Sequence, residues 1–97
     1  IFENLMSLDD RGLQRLIRDV ANENLLTALK GVDGQIAERF LQNMSERAAA
    51  ILREDLEASG PIKISEVEAA QKEIVKTAKR LSEEGELMIG KSSRDYV

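Results

Sequence analysis

Apolar residues recur along this chain at the three- and four-residue spacing of a helix, not in the alternation of a strand. Phe2-Glu3-Asn4-Leu5-Met6 predicts one short helical turn closed by Ser7. Asp9 or Asp10 then caps a segment in which Leu13, Leu16, Ile17 and Val20 share a face. Asn22 is the expected N-cap of a third helix with Leu25, Leu26 and Leu29 apolar. That helix ends at Lys30-Gly31, where glycine suits a left-handed terminal residue and the lysine sets a cation at the negative helix end. Asp33 caps a fourth helix striped by Ile36, Ala37, Phe40 and Leu41. Met44 or Ser45 opens a fifth, which runs to Ser59-Gly60-Pro61. Pro61 forbids continuation, and Gly60 is expected in the left-handed conformation. Ser65-Glu66-Val67-Glu68 reads as a capping box. Beyond it, Val67, Ala70, Ile74, Ala78 and Leu81 keep one face of a long last helix apolar as far as Gly85. The pattern predicts an all-α fold, a compact bundle of about five or six short helices with a longer C-terminal helix. Residues 1–90 read as one domain and residues 91–97 as a polar, frayed tail.

Composition agrees and narrows the function. With 42% apolar, 33% charged and 3% aromatic residues, one Pro and six Gly in 97 residues, the chain suits one helical core and leaves little room for turn-rich β architecture. The absence of Cys excludes disulfides, thiolate zinc sites and thiol nucleophiles, and the absence of His removes the commonest metal ligand and neutral-pH base. A net charge of −4 argues against a duplex-binding surface, so no nucleic acid is expected as partner. No apolar run reaches the roughly 18 residues of a membrane span and no signal peptide is visible, so a soluble protein of a reducing compartment, without direct membrane insertion, is expected. The start at Ile1 instead of Met reads as a piece of a longer protein.

Chemistry has few footholds. The acid pairs Asp9-Asp10, Glu54-Asp55 and Glu83-Glu84 lie in polar helical segments. They lack the asymmetric environments that split a hydrolase pair into acid and base. Asp33-Gly34 lacks the alternating oxygen ligands of a calcium loop, and no glycine-rich phosphate loop is present. No enzyme activity, catalytic residue, cofactor or metal is therefore expected. The fifth helix is more informative. At 100° per residue Ala48, Ala49, Leu52 and Leu56 form one face, and Arg47 and Glu54 project from nearly the opposite side, about 10 Å apart along the axis, with Asp55 on the flank between. Arg53 and Glu57 form an expected i, i+4 pair on the other flank. The outward row is either an ordinary solvated face or a contact surface whose mixed charges set register with a partner. Lys30 is open to the same two readings, as a helix-end cation or a contact, and so is Lys63, as a loop lysine or a contact. Met44 and Phe40 read as core, and Lys91 and Arg94 as a solubilising end.

Several strings occur in one order: Leu8-Asp9-Asp10-Arg11, Ala28-Leu29-Lys30-Gly31, Asn43-Met44-Ser45-Glu46-Arg47-Ala48-Ala49, Asp55-Leu56-Glu57, Gly60-Pro61, Ser65-Glu66-Val67-Glu68-Ala69-Ala70-Gln71 and Gly85-Glu86. Over about 90 residues the chain resembles the C-terminal subdomain of the FliG family of bacterial flagellar rotor and switch proteins. The resemblance implies a six-helix subdomain, in an armadillo-like superhelical context in the parent protein. Its charged ridge would meet the cytoplasmic loop of a MotA-type stator, generate torque and take part in switching rotation direction. Carried over by position, the ridge falls on Lys30, Arg47, Glu54, Asp55 and Lys63. Glu54 stands where many members have Asp and Lys63 where many have Arg, which keeps the sign but changes the reach. Ile1 and Phe2 look like the last two positions of the family's Met-Phe-x-Phe hinge. The resemblance also implies FliM and neighbouring FliG subunits as partners, met largely through segments outside this chain, and a place at the cytoplasmic face of the inner membrane in the basal body. Two readings compete: a non-motor helical scaffold or adaptor that binds through an apolar groove, and a hydrolase that needs a buried carboxylate pair.

Overall fold

The computed structural model describes residues 2–87. A 3-10 helix, Phe2–Ser7, leads into α1 (Asp10–Arg18), α2 (Asn22–Leu29), α3 (Gly34–Gln42), α4 (Glu46–Ala58) and α5 (Ile64–Glu83), with no strand among the described residues. The expected turn, four middle helices and long last helix are all present. What differs is how several ends are made.

Three starts follow the expected caps. The Asp9 carboxylate accepts from the Gly12 amide, Asp33 from the Gln35 and Ile36 amides, and the Ser45 hydroxyl from the Ala48 amide. Each satisfies a first-turn N–H that has no partner within its helix. At α2 the cap is Ala21, not Asn22, and no side chain closes it. The joint after α1 holds only Asp19, Val20 and Ala21; Ala21 is extended and Asn22 already lies inside the helix. The capping box at Ser65 does not form either. Lys63 is the N-cap, its carbonyl accepts from the Glu66 and Val67 amides, and Ser65 falls inside the first turn. Packing of α5 on α2 fixes that register, because Gln71 Nε2 donates to the Ala28 carbonyl at 3.1 Å and Val67 lies against Gly31.

Gly85, at φ 80°, is the only positive-φ residue among those described. It ends α5 with a six-to-one bond from the Glu86 amide to the Leu81 carbonyl (2.8 Å) and a bond from Gly85 to Ser82 (3.1 Å), the Schellman arrangement. Neither Gly31 nor Gly60 is left-handed, contrary to expectation. Gly31 is needed for closeness instead: a β-carbon there would collide with Val67 Cγ1. Gly60 precedes Pro61, which disfavours helical conformation in its neighbour, and α4 leaves through an extended Ser59.

The core draws on every element. Leu13 and Leu16 of α1, Leu25 and Ala28 of α2, Phe40 of α3, and Ile74, Ala78 and Leu81 of α5 are essentially inaccessible, and Ala49 and Leu52 line the inner face of α4. Phe2 is buried and stacks on Phe40 with ring centroids 5.7 Å apart. Met44 packs at the edge of this cluster, as expected of a core methionine. Each large side chain so buried contributes about 1.5–3 kcal/mol. α5 packs chiefly on α2 and also touches the 3-10 helix and α1, while α4 lies against α3 and α2. Ile1 and the tail 91–97 lie outside the described residues.

Candidate protein-interaction surface

α4 is held inward by Ala49 and Leu52, with Ala48 and Leu56 half-buried on the same side. That fixes the direction of everything else on the helix. Arg47, Glu54 and Asp55 are exposed, as the helical spacing predicts. None of the three makes a side-chain hydrogen bond or ion pair with another described residue. Arg47 stands in the first turn, and Glu54 and Asp55 near the last, so the ends of the row differ in sign.

Lys30 joins this surface from α2. It is half-buried at the C-terminal end of that helix, and its Nζ donates to the Ser59 carbonyl at 3.3 Å. The Ser59 amide in turn donates to the Asp55 carbonyl one turn back (2.9 Å). The ammonium therefore sits at the end of α4 beside the acidic part of the row, where a helix terminus attracts a cation. Lys30 is a helix-end cation, as expected, at the C-cap of its own helix, and its ammonium also reaches the end of α4. Lys63 follows four residues after Ser59 as the exposed N-cap of α5, not a mid-loop residue. The fold thus gathers Lys30, Glu54 and Asp55 around one end of α4 and leads directly from there to Lys63, with Arg47 about two turns away at the other end.

The expected Arg53–Glu57 pair does not form. Arg53 instead forks onto Glu38 of α3, at 2.6 Å and 2.9 Å. A two-bond guanidinium–carboxylate contact across helices wins over a single contact along one helix. It holds Glu38's carboxyl below its usual range and raises the Arg53 guanidinium. Arg39 was not singled out by spacing. It donates to the Leu8 carbonyl (2.7 Å), the Met6 carbonyl (3.3 Å) and Asp10 (3.2 Å), and so ties α3 to the joint before α1. Nothing in the local sequence marks these cross-helix partners, because they are set by packing.

No charged or polar side chain is buried among the described residues, and no group of acidic residues there is arranged to hold a metal ion. The acid pairs Asp9-Asp10, Glu54-Asp55 and Glu83-Glu84 sit exposed, on helices or at their ends. No described helix is long and apolar enough to cross a membrane.

The described residues thus form a small all-α domain with an apolar interior and an outward helix face of mixed charge. More particularly, the chain belongs to the FliG C-terminal domain family, whose profile matches residues 1–89. It is 48% identical to the flagellar motor switch protein FliG of Vibrio cholerae over 97 residues, all of this chain and 28% of that protein. It is 52% identical to the FliG of Pseudomonas aeruginosa over 90 residues, 93% of this chain and 27% of that one. The crystal structure of FliG residues 116–343 from H. pylori superposes with a TM-score of 0.88 at 31% identity, covering 92% of this chain and 39% of that one. The chain thus spans a little over a quarter of the length of the curated relatives it matches.

Proposed function

We propose that this chain is the torque-transmitting subdomain of a flagellar motor switch protein. Its ridge, Lys30, Arg47, Glu54, Asp55 and Lys63, meets the cytoplasmic loop of a MotA-type stator. The observation that carries the reading is the outer face of α4, where Arg47, Glu54 and Asp55 stand exposed, without side-chain partners among the described residues, opposite the buried Ala49 and Leu52. The role is mechanical and not enzymatic, and it is exercised at the cytoplasmic face of the inner membrane.

Residues 1–90 act as one subdomain. Phe2, stacked on Phe40, anchors the point at which the hinge joins it, so that force applied at the ridge reaches the hinge through a rigid core. FliM and neighbouring FliG subunits are met largely through other parts of the parent protein. Contacts between exposed charges are individually weak, about 0.2–1 kcal/mol, and exchange readily, which suits an interface made and released throughout each revolution. Charges of both signs also fix register and direction.

The test is rotation of motors in which the parent protein carries Arg47→Glu and Glu54→Lys, singly and together, in a host lacking its own copy. The expected result is folded protein with impaired rotation, partly restored by complementary reversals on the stator. Unimpaired rotation would return these charges to an ordinary solvated face.

A further inference from the structure

Two large hydrophobic residues are exposed among those described: Ile51 at 52% and Ile64 at 76%. Both lie within the charged ridge. Ile51 is on the outer side of α4, four residues after Arg47 and three and four residues before Glu54 and Asp55, so it stands one helical turn from each. Ile64 follows Lys63 directly. It lines a groove of roughly 400 Å³ together with Lys30, Gly31, Ile62 and Val67, and Glu68, one turn further along α5, lines it as well.

Neither isoleucine belongs to the core cluster. Ile51 looks away from the face that buries Ala49 and Leu52. Ile64 is the first residue of α5, where an acidic or small polar side chain would favour the helix more. By contrast Gly31, which lets α2 approach α5 closely, and Lys30, held on the Ser59 carbonyl, give the groove a fixed wall and a fixed charge.

Resting on the ridge reading above, we infer that the stator contact is not purely electrostatic. Ile51 and Ile64 are apolar anchor points that a stator segment covers, and the charges surround them as a rim. Charge complementarity defines the occupant. Arg47, then Ile51, then Glu54 and Asp55 call for a helical segment presenting an acidic residue, an apolar one and a basic one at successive turns. Ile64 and its groove call for a further apolar side chain with a carboxylate toward Lys30 and Lys63. Covering the isoleucines excludes water from the surrounding ion pairs, which strengthens them. The apolar contacts supply grip under load, and the charges supply register.

The experiment uses the full-length parent protein in a motile host, with Ile51→Gln and Ile64→Gln separately and together, every ridge charge kept. Stall torque and the residence time of single stator units are read from steps in bead rotation. The expected result is a severalfold shorter residence time and lower stall torque in the double variant, with Ile51→Leu and Ile64→Leu retaining function. Thermal melting of each variant checks the fold, which exposed positions should leave unchanged. If the glutamine variants hold stators as long as the parent while ridge charge reversals impair rotation, the apolar anchors are refuted and the ridge reading stands. If the charge reversals have no effect either, the ridge reading itself is refuted.

Discussion

Along the seam where the end of α1 meets the end of α5, Arg15 donates to Asp19 (2.9 Å) and Glu86 (3.1 Å), while Arg80 reaches Asp19 (3.0 Å) and Glu84 (3.3 Å). On the outer face of α4 the same residue types, Arg47, Glu54 and Asp55, make no such bond with another described residue. The difference is geometric. At the seam two helices and the turn after α5 bring opposite charges within reach, and Asp19 bridges two guanidiniums. On α4 the cation and the acids are about two turns apart along one helix, and the nearby Lys30 ammonium of α2 is engaged by the Ser59 carbonyl and not by either carboxylate. The seam's charges are used by the fold, and those of α4 are the ones the proposed function assigns to a partner. Sequence composition alone does not separate the two sets.

That contrast presumes that the apolar core, not surface charge, carries stability. Phe40→Ala should therefore have the largest effect of any change considered. The ring is fully buried and stacked on Phe2, and its loss should cost about 3–5 kcal/mol. A domain of this size holds only about 5–15 kcal/mol in all, so the variant should be near unfolding. Urea denaturation reads this directly, and a loss smaller than that of a surface substitution would overturn the picture.

A second, intermediate effect tests what holds α2 against α5 beside the ridge. Gly31→Ala places a methyl group into Val67, and such overpacking costs about 1–3 kcal/mol. Val67→Ala in the same background should recover part of the loss, which a double-mutant cycle would measure as coupling. Gly34→Ala serves as the opposite control. Its position is open, without positive φ, and first in α3, so it should stabilise by about 0.4–1 kcal/mol. Equal behaviour of the two alanines would mean that Gly31 is not a close-approach position.

The outcome at Gly31 shows where sequence reading stops. Its presence after a helix suggested a left-handed cap, because that is the commonest local reason for a glycine there. The actual reason lies in Val67, thirty-six residues further on. Helix positions and apolar faces were legible because the 3.6-residue period is a local signal, and so was the outward direction of Arg47 and Glu54. The starts of α2 and α5, the Arg53–Glu38 fork and the hold of Lys30 on Ser59 were not. Each depends on which helices pack together, and a short-range pattern carries no record of that. The exposure of Ile51 and Ile64 is illegible for another reason: an apolar residue reads as core until the burial of its neighbours fixes the face.

Acidification should weaken the used charges specifically. Arg15 and then Arg80 hold the Asp19 carboxyl below its ordinary value, and Arg53 does the same for Glu38. A carboxyl lowered in the folded state contributes stability that is fully present above its unfolded pKa, near 3.8 for Asp19 and 4.5 for Glu38. That contribution is lost as pH falls through the folded value. Urea midpoints should therefore decline as pH drops below about 4.5. Asp19→Asn with Glu38→Gln should lower the neutral-pH midpoint slightly and flatten the decline. An unchanged acid slope in the double variant would show that these pairs do not matter to folding, removing the contrast with α4.

The smallest stability effect is the most telling one, because its expected sign is unusual. Arg47 sits in the first turn of α4, where the helix dipole is positive, and Asp55 falls in the last turn, which contains no basic residue. Both charges have the sign that the dipole disfavours. Arg47→Glu should thus leave the protein as stable as before or stabilise it by up to about 0.3–1 kcal/mol at low ionic strength, fading as salt is added. Asp55→Lys should gain less, because the Lys30 ammonium already lies at that end of the helix. Thermal melts with and without salt distinguish this from a neutral surface change. A surface residue whose reversal improves the fold but impairs rotation is kept for something other than folding. If Arg47→Glu instead melted substantially lower, Arg47 would belong with the seam's charges, as part of what the fold consumes.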